Sequence, residues 1–219
     1  MSLLEATKTQ IDTVAEQALR SALAVAERMG LHPVITVALQ NLGRVHRYRG
    51  AFEEDRRVQK LAIEAARKHE YLRLLGCSHV YLAELEPSTG DVETAELEVR
   101  VGLESLSGAP PLRTSALGVL ARVLLARGQV EEALRVATEA HGFLESLGSI
   151  EEGEAVVRLV SAEALAANGL HEEFARAIVS ARERLLARAD RISDVAGRER
   201  FLRGIADHAR TLDLPIPAL

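Results

Sequence analysis

The sequence predicts an all-α fold, and three observations carry that prediction. The first is composition: 47% of the 219 residues are hydrophobic, yet only 3% are aromatic and there is no Trp. A core built from Ala, Leu and Val suits helices packed closely on helices, whereas a β-sandwich needs β-branched and aromatic faces. The second is periodicity. Apolar residues recur at helical spacing in Val37, Leu39, Leu42 and Val45, in Val80, Leu82 and Leu85, in Leu117, Leu120, Val123 and Leu124, and in Val157, Val160 and Leu165. The third is an internal repeat: Gly50-Ala-Phe-Glu-Glu-Asp55, Gly90-Asp-Val-Glu-Thr-Ala95, Gly128-Gln-Val-Glu-Glu-Ala133 and Gly169-Leu-His-Glu-Glu-Phe174 share one pattern at spacings of 40, 38 and 41 residues.

Each repeat reads as a helical hairpin. A glycine just past a helix can take positive φ and close its C-terminus, and acidic residues in the next first turn favour the positive end of the following helix dipole. Residues 4–29 form one long helix, in which Ala15, Ala22 and Gly30 keep the mutual offsets of Ala133, Ala140 and Gly148. That makes it the second helix of a repeat that lacks its first. Four hairpins follow, in which small residues mark the helix crossings: Gly43, Ala83, Ala121 and Ala162 in the first helices, Ala62, Gly102, Ala140 and Ala181 in the second. The stretch from Asp190 to Leu212, with Phe201, Leu202, Ile205 and Ala206 among many charges, reads as a polar-faced capping helix, and Pro215 and Pro217 end it.

On these residues the chain resembles a tetratricopeptide-repeat (TPR) array. Leu42-Gly43, Leu82-Ala83 and Leu120-Ala121 match the family's Leu-Gly-like pair in the first helix, and Ala133/Ala140 and Ala95/Gly102 match its small positions after the turn. Asp55 and Phe174 replace the expected Ala, the aromatic positions are mostly aliphatic, and the repeats exceed the usual length. In that length they are similar to the C-terminal repeat regions of large bacterial signalling kinases and ATPases. The resemblance implies a right-handed α-solenoid in one domain over residues 1–219: a half-repeat helix (1–31), repeats at 32–70, 71–109, 110–148 and 149–190, and a cap and tail (191–219).

Several function classes are excluded. A net charge of −5, with acidic and basic residues interspersed, lacks the cationic surplus of a nucleic-acid binder. The longest apolar stretch, Ser115 to Ala126, is too short to span a membrane and Arg122 interrupts it. The N-terminus has no signal-peptide pattern and Cys77 is alone, so a reducing cytoplasm is expected. No Gly is followed by Lys, which rules out a phosphate-binding loop. The seven histidines are scattered and His171-Glu172 lacks the second His of a zinc-protease helix. Cys77 and His79 point to different sides of a helix, and Glu151, Glu152 and Glu154 read as a helix-start cluster. No catalysis, metal or cofactor is expected.

One constellation remains. In a TPR array the first helices line the concave groove, and the residue after each small packing position is Arg44, Glu84, Arg122 and Glu163. The signs alternate, and long side chains can bridge helices about 8–10 Å apart. The row can hold the repeats together or present a mixed-charge groove to a protein or peptide, with Gln40, Asn41, Arg47 and Tyr81 adding donors and a ring. The family's carboxylate clamp is not reproduced, because its positions hold Gln40, Arg44, Val80 and Glu84. Along the long first helix Leu4, Ile11, Ala18 and Val25 recur every seven residues, which offers either packing on the next repeat or a surface for a second copy. The expected function is a docking or regulatory scaffold, with a ligand-sensing module as the alternative.

Overall fold

A computed structural model describes the backbone of residues 3–216 and the side chains of residues 13–85 and 90–216. Among these residues there are eleven helices and no strand. The chain clusters into two compact units, Met1–Ala109 and Pro110–Leu219.

The first unit holds α1 (Leu3–Met29), α2 (His32–Tyr48), α3 (Phe52–Lys68), α4 (Leu72–Thr89) and α5 (Val92–Ser105). Each helix packs on the next, α2 with α3 and α4 with α5 most extensively, and the two first helices α2 and α4 also touch. Leu39, Leu42, Val58 and Ala62 form a core patch, onto which Leu19 and Leu23 of α1 pack. Ile63, Leu82 and Leu85 continue it between α3 and α4.

The second unit holds α6 (Pro110–Ala126), α7 (Val130–Leu147), α8 (Glu154–Ala167), α9 (His171–Ala189), α10 (Val195–Arg203) and α11 (Ala206–Asp213). Here α6 pairs with α7 and α8 with α9, while the first helices α6 and α8 pack side by side. α6 is apolar nearly all round, and nine of its residues are buried. Phe174, which departs from the family's Ala, is buried in a patch with Leu159, Ala162, Ile178 and Ala181.

The hairpin turns follow from their glycines. Gly50, Gly90, Gly128 and Gly169 all have φ between 74° and 86°. At three of them the next residue's N–H reaches back to the helix, as in Ala51 to the His46 carbonyl at 2.9 Å and Gln129 to Leu124 at 2.9 Å. That is the bond by which a left-handed residue satisfies otherwise orphaned helix carbonyls. The expected small crossing positions are buried: Ala62, Ala83, Ala121, Ala140 and Ala162 are wholly inaccessible.

The tail departs from expectation. The single capping helix predicted between Asp190 and Leu212 is two short helices, because Gly204 ends α10 and Ile205 is extended at φ −104°, ψ 119°. Phe201 and His208 pack ring on ring across the break, with centroids 4.5 Å apart.

Candidate partner-binding site

In the first unit the candidate residues divide into two groups. Gln40 is buried, and its side-chain amide donates to Ser78 Oγ at 2.8 Å and to the Leu74 carbonyl at 2.9 Å, which ties α2 to α4. Arg47 joins three helices: Nε donates to Asp55 Oδ2 at 2.8 Å, Nη1 to Glu84 Oε2 at 2.6 Å, and Nη2 to the Tyr81 carbonyl. The other Asp55 oxygen accepts from Gln59 Nε2 at 3.2 Å, and that same amide donates to the Gln40 carbonyl. Burial pushes the Asp55 carboxyl up, against the pull of Arg47. These polar groups therefore face one another between helices.

The network also explains why Asp55 stands where the family prefers Ala. A Cβ on Gly43 would collide with Gln59 and Asp55, so the glycine in α2 makes room for the polar pair from α3. Arg44, Asn41 and Tyr81 make up the second group, each half-buried. The Arg44 guanidinium lies 5.3 Å from the Tyr81 ring centroid, a cation–π distance, and Asn41 bonds back to the Val37 carbonyl in its own helix.

In the second unit Arg122 and Glu163 do not pair with each other. Arg122 Nη2 donates to Asp207 Oδ1 at 2.7 Å, and Glu163 accepts from Arg210. Both partners lie on α11. Rung-to-rung pairing between these first helices, one of the two expected readings, is thus replaced by pairing to a third helix.

A second charged centre escaped the sequence reading. Glu154, read there as part of a helix-start cluster, is buried and binds Arg184 Nε at 2.8 Å and Arg158 Nε at 3.1 Å, with Arg188 at 3.5 Å. Burial raises its pKa, but the hydrogen bonds and charges of Arg184 and Arg158 outweigh that and hold it below the usual carboxylate range. Glu154, Arg158, Arg184, Phe201, His208 and Thr211 line a recess of about 20 Å³, room for about one water. Burial likewise pushes the His208 imidazole down.

Of the candidate self-association residues, Ala18 and Val25 are exposed, in line with exposed Val14 and Met29 on the same helix. The side chains of Leu4 and Ile11 lie outside the described residues. Among the described residues no cluster of three His, Cys, Asp or Glu is placed to hold a metal, and no helix is long and apolar enough to cross a membrane.

No family model and no curated protein matches the chain. Solved structures do. A crystal structure of the TPR-like repeats of a kinesin light chain-like protein from Podosopora anserina, the variant labelled Q17M, aligns with a TM-score of 0.61 at 18% identity, over 87% of this chain and 94% of that one. A second crystal structure of those repeats aligns at 0.58, with 18% identity and 88% and 94% covered. The fold is a TPR-like helical repeat. The pairing of α2 with α4 and of α6 with α8 is then the packing of successive TPR-like first helices, and Arg44, Glu84, Arg122 and Glu163 lie on α2, α4, α6 and α8 in turn.

Proposed function

We propose that this TPR-like chain is a protein-interaction scaffold, which docks a protein or peptide on the paired first helices within a unit and performs no chemistry of its own. The observation that carries this reading is the division of labour in the first unit. Gln40, Arg47 and Glu84 lock α2 against α3 and α4, while Arg44, Asn41 and Tyr81 remain half-buried beside them. A surface held rigid by a buried network loses little conformational entropy on binding. The recess at Glu154 has room for about one water, which favours a scaffold over a ligand-sensing module. The exposed stripe of α1 at Val14, Ala18, Val25 and Met29 belongs to the same proposal as a surface for a second copy.

The test is affinity capture from a native extract by the wild type and by Arg44→Glu/Tyr81→Ala. The partner retained by the wild type is lost by the variant while both melt alike. Equal capture of the same proteins by the two would overturn the reading. Self-pairing is checked by sedimentation: a wild-type dimer that Val25→Glu converts to monomer supports it, and a monomer at high concentration removes it.

A further inference from the structure

The tail helix α11 meets both candidate rungs of the second unit at once. Asp207 pairs with Arg122 of α6, and Arg210 pairs with Glu163 of α8. Residues three apart lie on one side of a helix, so a single face of α11 carries a negative and then a positive charge opposite a positive and a negative one. A third anchor comes from α9: Arg182 donates to the Thr211 carbonyl at 2.9 Å and to that of Leu214, satisfying acceptors that the end of a helix leaves open.

The attachment is otherwise slight. No residue of α10 is buried, and Thr211 is the buried residue of α11, whereas α6 buries nine. At nine and eight residues the two helices are well short of the roughly 12–15 at which an isolated helix becomes even marginally stable. Arg210 is 63% exposed, and a pair of that kind is largely screened by water. The tail is docked by buried Thr211, by Leu214 against the Leu159–Ile178 patch and by a few partly exposed polar anchors, and a segment with so little fully buried area opens more readily than the aliphatic core beneath it.

We propose that α11, which packs on α8 and α9 and reaches Arg122 of α6 through Asp207, is an exchangeable occupant of this face, and that the partner the face accepts is a short helix bearing an aspartate followed three residues later by an arginine. This rests on the scaffold reading and gives the groove ligand a chemistry. The first unit supplies the contrast: there Glu84 is met by Arg47 of α2 and Arg44 lies against Tyr81 of α4, so equivalent positions are served from within the first helices. A partner helix with the same charge order and more apolar area would displace α11.

The experiment uses the full chain and a fluorescent synthetic peptide of residues 204–214. Asp207→Arg/Arg210→Glu repels the chain's own tail and bares the face. Fluorescence anisotropy is expected to show this variant binding the wild-type peptide at least tenfold more tightly than the unaltered chain does. Adding Arg122→Glu removes the gain. Milder Asp207→Asn/Arg210→Gln moves binding in the same direction and serves if charge reversal disturbs folding, which circular dichroism reports. Equal binding by variant and wild type, no binding by either, or a gain that survives Arg122→Glu overturns the proposal. Because the peptide assay needs no natural partner, its failure leaves Arg44-dependent capture intact, and the two readings stand or fall separately.

Discussion

Gly76 of α4 and Gly102 of α5 approach so closely that a Cβ on either would stand 3.0 Å from the carbonyl oxygen of the other. Neither obstacle can rotate away, since both are helix backbone. On Gly102 the added carbon would also meet Val80 Cγ2 at 2.9 Å. Overpacking of this kind costs about 1–3 kcal/mol, against a gain of at most about 1 kcal/mol in helix propensity. Gly102→Ala is therefore expected to destabilise the chain by about 1–2 kcal/mol in urea unfolding. Gly142 is the control: it lies inside α7, is exposed, and a Cβ there meets nothing within 4 Å. Gly142→Ala should stabilise by about 0.5–1 kcal/mol.

Arg47 serves two carboxylates, of which Asp55 is wholly inaccessible. Removing the arginine leaves Asp55 buried without its cation, and breaking such a pair costs about 3–5 kcal/mol. Arg47→Met should lower stability by about that amount. Arg47→Met/Asp55→Ala should recover at least about 1 kcal/mol of it, because the stranded carboxylate is gone. A double-mutant cycle in urea reads the coupling directly, and strict additivity would show that the network contributes nothing as a unit.

Glu154 makes stability depend on acid. Its pKa is lower in the folded chain than the ordinary glutamate value, so the folded state keeps the charge to lower pH than the unfolded chain does. The contribution is fully present above the unfolded value of about 4.3 and is lost as pH falls through the folded one. Glu154→Gln should cost about 1.5–3 kcal/mol at pH 7, the range for hydrogen bonds to charged groups. The gap between wild type and variant should stay constant down to about pH 5 and narrow below about pH 4. Thermal melts across that range check both the size and the sign.

What the sequence revealed and what it hid separate along chemical lines. The turn glycines and the buried alanines at the crossings were legible because each is dictated by neighbours within one hairpin. Gln40 and Arg47 were legible as polar residues on first helices, but their partners were not: Ser78 and Glu84 lie on another helix, 38 and 37 residues away. Arg122 and Asp207 are 85 residues apart, and nothing local announces that α11 packs on α8 and α9 and brings Asp207 within reach of Arg122. The break at Gly204 and Ile205 was missed for a different reason, since the helical periodicity of Phe201, Leu202 and Ile205 runs across it. Glu154 does stand in the first turn of α8, as the local dipole argument has it, but its partners were hidden, since Arg184 lies 30 residues downstream.

The turn between α3 and α4 closes without a glycine. Glu70, between α3 and α4, has φ 56°, and Tyr71 N–H reaches the Ala66 carbonyl at 3.0 Å, the same closure that Gly30 makes possible between Leu31 and Ala26 at 2.9 Å. For a residue with a Cβ that conformation costs about 1–2 kcal/mol, because the side chain crowds the following carbonyl. Glycine escapes this but gives the unfolded chain more freedom, which returns part of the gain. Glu70 is exposed, so little packing is lost on replacing it. Glu70→Gly is expected to stabilise the chain by up to about 1 kcal/mol, whereas Glu70→Ala, which keeps the Cβ, should not. If alanine stabilised as much as glycine, the effect would lie in the lost charge and not in the backbone. Urea unfolding of the two variants side by side separates these causes.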